Sequence, residues 1–216
     1  MTPDHASELT ARVCGLAPVI PVLVIDDAAS AADLARALVA GGLPALEVTL
    51  RTPAALEAIR EMSQVEGGVV GAGTLLTEKD VEAAKEAGAN FGVSPGFTRR
   101  LLDAAEANDL PMLPGAATPS EAMYLFQRGY RIQKFFPAEA NGGVPVLKAW
   151  GAPIPQVRFC PTGGVSLQNA PTYLALSNVA CVGGSWVAPA ALVRSGDWAG
   201  VARLAAEAAS LPRASS

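Results

Sequence analysis

Histidine is nearly missing from this sequence: His5, close to the N-terminus, is the only one. That removes most imidazole metal sites and every Ser-His or Cys-His nucleophile design. Cysteine is scarce too. Cys14, Cys160 and Cys181 are scattered, with no C-x-x-C pair, which fits a reducing compartment better than a disulfide framework. There is no surplus of positive charge either. Sixteen Lys and Arg against twenty Asp and Glu leave a net charge of −4, so neither a nucleic-acid footprint nor an acidic-lipid footprint is expected. Charge is absent altogether from Phe159 to Val193, but Gly163, Gly164, Pro171, Gly183, Gly184 and Pro189 interrupt that stretch too often for a membrane span. The chain begins Met-Thr-Pro-Asp-His, without a basic, cleavable apolar leader, and we expect a cytoplasmic protein.

What remains is mostly apolar. Half of the 216 residues are hydrophobic and 17% are charged, which excludes a disordered chain and suits one domain with a full core. Eight β-rich runs recur: Val19–Ile25, Ala45–Leu50, Val69–Gly73, Phe91–Ser94, Met112–Gly115, Ile132–Phe136, Val157–Cys160 and Val179–Gly183. Each is followed by a stretch long enough for a compact helix and two short loops. Ser30–Ala40, Glu78–Ala87 and Arg99–Ala107 carry helical periodicity. Thr77, Thr98 and Ser120 are expected helix starts, and Gly41, Gly88 and Gly129 are expected left-handed stops. Near-continuous apolar strands alternating with helices imply a parallel sheet covered on its outside. Eight such units predict an α/β fold, a (β/α)8 TIM barrel in a single domain over residues 1–216. The barrel proper spans about 18–211, residues 1–17 form an N-terminal capping helix and tail, and 212–216 form a disordered tail. A doubly wound open sheet is the competing arrangement.

In such a barrel the chemistry sits at the C-terminal ends of the strands. Lys134 is the sharpest signal there. The other lysines, Lys79, Lys85 and Lys148, fall on helical stretches, whereas Lys134 interrupts the apolar strand Ile132-Gln133-Lys134-Phe135-Phe136. Alternation puts it on the same face as Ile132 and Phe136, either into the barrel or toward the helices. An amine isolated in apolar surroundings is costly to keep charged, and a neutral amine condenses with a ketone to a Schiff base. The bland reading is a lysine reaching from a strand end to water. Glu47 is a second charge within a strand, either a general acid/base across the barrel from Lys134 or the ion-pair partner of Arg51 or another arginine. Arg51 offers a bidentate fork for a carboxylate, and Thr74 a hydroxyl after what reads as a Gly71-Ala72-Gly73 turn. Thr162-Gly163-Gly164 and Gly183-Gly184-Ser185 end the last two strands, the usual phosphate position in this fold. Asp26 and Asp27 read as helix caps rather than Mg²⁺ ligands. Cys160 and Cys181 read as small core residues, and Trp150, Trp186 and Trp198 as packing.

Six segments taken together carry a resemblance: Glu47-Val-Thr-Leu-Arg51, Gly71-Ala-Gly-Thr74, Ser94-Pro-Gly96, Gly115-Ala-Ala-Thr-Pro-Ser-Glu121, Lys134-Phe-Phe-Pro-Ala-Glu139 and Pro161-Thr-Gly-Gly164. From about Leu16 to Trp198 the chain resembles the KDPG/KHG aldolase family, named for 2-keto-3-deoxy-6-phosphogluconate and 2-keto-4-hydroxyglutarate. The resemblance implies a class I aldolase that cleaves the phosphogluconate derivative to pyruvate and glyceraldehyde 3-phosphate in the Entner–Doudoroff pathway. It also implies a homotrimer of (β/α)8 subunits that needs no cofactor and no metal. Lys134 matches the Schiff-base lysine and Glu47 the acid/base. Arg51, Thr74 and Pro95 match the pyruvyl carboxylate site, and Thr162, Gly163, Gly164, Gly184 and Ser185 the phosphate site. The partner expected is a small phosphorylated keto acid. 4-Hydroxy-2-oxoglutarate as the main substrate, a sugar-phosphate isomerase or epimerase, and a non-catalytic ligand sensor are the competing readings. The uncharged segment Leu167–Ser177 is too apolar for a fully exposed helix and points to a subunit contact.

Overall fold

Short β-branched runs alternate with amphipathic helices along the whole chain, and the computed structural model, which describes residues 1–214, follows that alternation closely. Helix α1 (Pro3–Gly15) comes first. Then follow β1 (Val19–Leu23), α2 (Ala31–Ala40), β2 (Ala45–Thr49), α3 (Ala55–Ser63), β3 (Val69–Gly73) and α4 (Glu78–Glu86). The middle holds β4 (Phe91–Val93), α5 (Arg99–Ala107), β5 (Met112–Leu113), β6 (Gly115–Ala116), α6 (Pro119–Gln127) and β7 (Ile132–Phe135). The last part adds α7 (Gly143–Trp150), β8 (Arg158–Pro161), α8 (Ala170–Leu174), β9 (Val182–Gly184), α9 (Ala190–Ser195) and α10 (Trp198–Ala209).

All strand pairs are parallel. One sheet runs β5-β4-β3-β2-β1-β9 and the other β6-β7-β8. The fifth expected strand is thus split in two at Pro114, which has no N–H to give to a ladder. Its carbonyl still accepts from the Lys134 N–H at 2.9 Å. The single parallel bridges Phe159↔Val179 and Thr162↔Gly183 join β8 to the segment that becomes β9. The architecture is α/β with a curled parallel sheet covered by helices.

Two buried layers follow from strand alternation. Val19, Leu46, Val48, Val70, Phe135 and Phe159 face the helices, where Leu34 and Leu38 of α2 are fully buried against them. Burying each such leucine contributes about 1.5–3 kcal/mol. Ile20, Ala45, Phe91, Val93, Leu113 and Ile132 face the inside of the curl together with Cys14, Cys160 and Cys181. Hydrogen bonds to Cys14 and Cys160, and then burial, push the Cys181 thiol well above its ordinary range, so it is a packing group and no nucleophile. Trp150 packs edge-on against Phe135 and Phe159, also as core.

Helix α1 closes the end of the sheet opposite the strand tips. Its Thr10 Oγ1 donates to the Met112 carbonyl at 3.2 Å, and Ser7 Oγ accepts from the Arg131 N–H at 2.8 Å. Helix starts at Thr77 and Thr98 are found as expected, each side chain capping a backbone N–H. Ser120 is not one. Thr118 caps α6 instead, in a reciprocal capping box with Glu121 and with Pro119 at the first helical position, the place where a missing N–H costs nothing. Gly41 is not left-handed; Gly42 takes that conformation (φ 89°), and Gly41 stays bare because a Cβ would collide with Ala205 of α10. Asp27 caps the 3-10 turn Ala28–Ser30.

Helix α8 sinks Ala170, Tyr173 and Leu174 into this chain's own core. Leu167 and Leu176 of the same segment stay half-buried in the single chain. The expected tail is tied down where it is described: the Ala214 N–H donates to the Leu174 carbonyl at 2.8 Å and Arg213 Nη1 to Gly15 at 3.1 Å. Residues 215–216, the end of that expected tail, lie outside the described residues. No helix among the described residues is long and apolar enough to cross a membrane.

Candidate active site

Strand parity decides where the two in-strand charges point. Glu47 stands two residues after Ala45 and Lys134 two after Ile132, so both rise from the inner face, one layer above the apolar floor. They meet there. Lys134 Nζ lies 3.3 Å from Glu47 Oε1, with Lys134 5% exposed and Glu47 3%. Glu47 thus faces Lys134 as the acid/base reading expected, and the amine is paired rather than isolated among apolar groups alone, so that each charge offsets part of the other's desolvation. Among the described residues no arginine takes Glu47, the alternative the sequence left open. The Phe136 ring covers the amine from the other side, its centroid 5.2 Å from Nζ.

The pairing depends on what is missing beside it. A Cβ on Gly73 would fall on Glu47 Oε1, and a Cβ on Gly71 on the Phe91 ring. The Gly71-Ala72-Gly73 segment belongs to strand β3, as the expected run Val69–Gly73 has it, and is not the turn that Thr74 was read to follow. Its glycines make room for side chains from the neighbouring strands.

Above the pair opens a cavity of about 300 Å³. All ten residues expected from the sequence line it: Lys134 and Glu47 at its floor; Arg51, Thr74 and Pro95 on one side; Thr162, Gly163, Gly164, Gly184 and Ser185 on the other. Arg51 is exposed and makes no ion pair among the described residues, so its guanidinium is available to an anion. Lys134, Arg51 and Glu47 are the charged groups of the lining, which leaves it one positive charge in excess when all three are ionised. Thr74 has φ 63°, a left-handed conformation that strains a β-branched residue by about 1–3 kcal/mol. That strain sits at the cavity wall.

The far side is built from backbone. Gly163 and Gly164 both have positive φ, 99° and 80°, a pair of conformations that L side chains resist. Three successive carbonyls of this turn are held outward. Thr162 O accepts from the Ala138 N–H at 2.8 Å, Gly163 O from the Glu139 N–H at 3.0 Å and Gly164 O from Asn169 Nδ2 at 3.1 Å. In a planar trans peptide the next N–H points opposite to the carbonyl. The N–H groups of Gly163, Gly164 and Val165 are thereby turned the other way, and none has an acceptor among the described residues. Converging free amides of this kind make an anion nest that needs no lysine or arginine. No group of three or more His, Cys, Asp or Glu among the described residues is arranged to hold a metal ion.

A buried amine facing a carboxylate lies between an unpaired guanidinium and an amide nest, an arrangement suited to a small molecule with an anionic group at each end. The family model described as KDPG and KHG aldolase matches residues 10–204. This chain belongs to the KDPG/KHG aldolase family. Its curated relatives include a 2-dehydro-3-deoxy-phosphogluconate aldolase of Pseudomonas aeruginosa, 51% identical over 94% of this chain and 94% of the relative. Among solved structures, the 2-keto-3-deoxy-6-phosphogluconate aldolase of Zymomonas mobilis with 3-phosphoglycerate superimposes with a TM-score of 0.91 at 50% identity, covering 97% of this chain and 98% of the other. The KDPG aldolase of Legionella pneumophila, with pyruvate captured as a covalent carbinolamine, gives a TM-score of 0.89 at 45% identity over 93% and 98% of the two chains.

Five further residues complete the wall; sequence reasoning gave no signal for Val22 and Val165, no role to Thr49 and Phe136, and named Gly183 only as part of the expected phosphate segment. Thr49, Val22, Phe136, Val165 and Gly183 also line the cavity. Thr49 and Phe136 each stand two residues beyond an in-strand charge, so the alternation that singled out Lys134 and Glu47 was also the signal for them. Val165 gave no such signal, because it lies beyond β8 in the turn after Gly164.

Proposed function

We propose that this chain is a class I aldolase that cleaves 2-dehydro-3-deoxy-6-phosphogluconate to pyruvate and D-glyceraldehyde 3-phosphate. The observation that carries this reading is the Lys134 amine held 3.3 Å from Glu47 at the floor of a cavity with anion sites on both sides. Membership of the KDPG/KHG family supports it, as do the activities for which the relatives are named. The Lys134 nitrogen attacks the C2 ketone to form a carbinolamine, and loss of water gives an iminium. Glu47 takes the C4 hydroxyl proton, the C3–C4 bond breaks, and its electron pair passes into the iminium to leave an enamine. The aldehyde departs with the phosphate. Glu47 returns the proton to C3, and hydrolysis of the imine releases pyruvate and frees the amine. Arg51, Thr74 and Pro95 hold the carboxylate end, while the amides around Gly163 and Gly164, with Thr162, Gly184 and Ser185, hold the phosphate. Holding both ends positions C2 over the nitrogen and supplies binding energy remote from the reacting carbons.

Mass spectrometry after borohydride reduction tests this. The wild-type chain with pyruvate should gain one reduced pyruvyl group on Lys134. An unmodified Lys134 would favour an isomerase or epimerase, with Glu47 as proton shuttle. The ratio of kcat/KM on the phosphogluconate substrate to that on 4-hydroxy-2-oxoglutarate decides between the two aldolase readings, and we expect it to favour the phosphorylated one. The room Gly73 leaves for Glu47 gives a further test. Gly73→Ala should force the carboxylate away from Lys134, destabilise the fold by about 1–3 kcal/mol and lower kcat while adduct formation persists. Unchanged kcat and melting temperature would contradict it.

The same proposal includes closure of the two sheets into one (β/α)8 barrel. It is supported by the bridges between β8 and the β9 segment and by the continuity of β5 and β6 across Pro114. A homotrimer belongs to the same proposal, supported by the family to which the chain belongs, and sedimentation at micromolar concentration measures it. Three unpaired buried thiols suit a cytoplasmic setting.

A further inference from the structure

Glu139 ends the Lys134-Phe-Phe-Pro-Ala-Glu139 segment, yet it does not line the cavity and has no part in the chemistry above. It is instead fixed behind the amide nest at three points. Its N–H donates to Gly163 O at 3.0 Å. Its side-chain stem lies against Gly164, where a Cβ would come within 2.6 Å of Glu139 Cγ. Its Oε1 accepts the hydroxyl of Tyr173, a fully buried side chain on α8. Burial, and then the Glu139 carboxylate beside it, hold the Tyr173 phenol above its usual range, so it remains a donor across the working pH. Asn169, one residue before α8, grips the same turn from the other side through Gly164 O at 3.1 Å and the Ser166 N–H at 2.7 Å.

We propose that Glu139 and Tyr173 are positioning residues for the phosphate end of the substrate. They link the core to the Gly163–Gly164 turn and keep its carbonyls outward and its N–H groups aimed into the cavity. This inference rests on the reading of that turn as the phosphate subsite. A glycine pair is the most pliable dipeptide the backbone offers. Left to itself it would sample many orientations, and only an external brace keeps three amides convergent. A phosphorylated substrate needs that convergence, whereas pyruvate and 4-hydroxy-2-oxoglutarate have no phosphate to place there.

The test is a split between substrates. Glu139→Ala and Tyr173→Phe should each raise KM for the phosphogluconate substrate about tenfold, the scale of one lost hydrogen bond to a charged group. They should weaken binding of inorganic phosphate, measured by calorimetry without turnover, by a similar factor. Kinetics on 4-hydroxy-2-oxoglutarate and the borohydride-trapped pyruvate adduct should stay at wild-type level. Tyr173→Phe keeps the buried ring, so the core is preserved. Glu139→Gln keeps the acceptor and should restore phosphate binding to within about twofold of wild type. Equal losses on both substrates, unchanged phosphate binding, or Glu139→Gln binding no better than Glu139→Ala would each overturn the proposal. A wild-type chain that forms no pyruvate adduct would overturn the aldolase reading instead, and the phosphate calorimetry reports on the brace independently of it.

Discussion

Lys134→Met forms no pyruvate adduct under borohydride and loses about 10⁴-fold or more in kcat/KM, equivalent to about 5.5 kcal/mol of transition-state stabilisation. Without the amine there is no iminium, so the electrons of the C3–C4 bond have nowhere to go, and no other lining residue supplies a nucleophilic nitrogen. The same substitution also affects the fold. Methionine fills much of the lysine's volume, but Glu47, 3% exposed, loses the charge opposite it. Stranding one member of a buried pair costs about 3–5 kcal/mol, against a total stability of about 5–15 kcal/mol for a domain. Lys134→Met should therefore remain folded but melt about 6–20 °C lower. Adding Glu47→Gln removes the stranded charge and should recover most of that loss without recovering activity. Thermal melting of the two variants, beside the adduct assay, separates the catalytic from the structural cost. Residual adduct or substantial cleavage in Lys134→Met would remove the covalent role.

The strand positions and the two charges of the site were readable because parallel strands covered on both faces leave long apolar runs, and a charge inside such a run stands out. Lys134 and Glu47 were visible for that reason. Their facing each other across the sheet was expected too, because both stand at the same rim; the direct ion pair was not, since residues 87 apart in sequence touch only once the sheet has curled. Local geometry that depends on an approaching partner was equally hidden. Gly41 ends α2 as expected, but it is a glycine because α10 lies against it and not because the turn is left-handed there, and nothing local shows that Gly73 at the end of β3 makes room for Glu47. The exchange of Ser120 for Thr118 as a cap could have been foreseen, because Thr118-Pro119-Ser120-Glu121 carries the capping-box spacing with proline at the first helical position. The split at Pro114 could have been foreseen as well, as a proline inside a strand run. Glu139 was different. Its partner Tyr173 lies 34 residues further on, in a segment whose apolar character was read as a subunit contact and gave no sign of a link to the Gly163–Gly164 turn.

Glu47→Gln separates nitrogen chemistry from proton transfer. The amide keeps the shape of the carboxylate and still accepts a hydrogen bond from the Lys134 amine, so the floor of the cavity should stay packed. The Lys134 nitrogen keeps its place below the cavity and should still give the borohydride-stable pyruvate adduct. What the amide cannot do is take the C4 hydroxyl proton or return one to C3. A positioned general acid/base contributes about 10²–10⁴-fold, so kcat for cleavage and the rate of deuterium uptake into the methyl group of pyruvate should both fall by that factor. The methyl exchange is the more telling of the two, because it involves neither the phosphate site nor C–C cleavage and reports only on the enamine and its proton donor. If exchange continues at the wild-type rate while cleavage is lost, the base at C3 is another group, and Glu47 serves only to hold the amine. If adduct formation fails as well, the carboxylate is required for carbinolamine dehydration, and its role begins one step earlier.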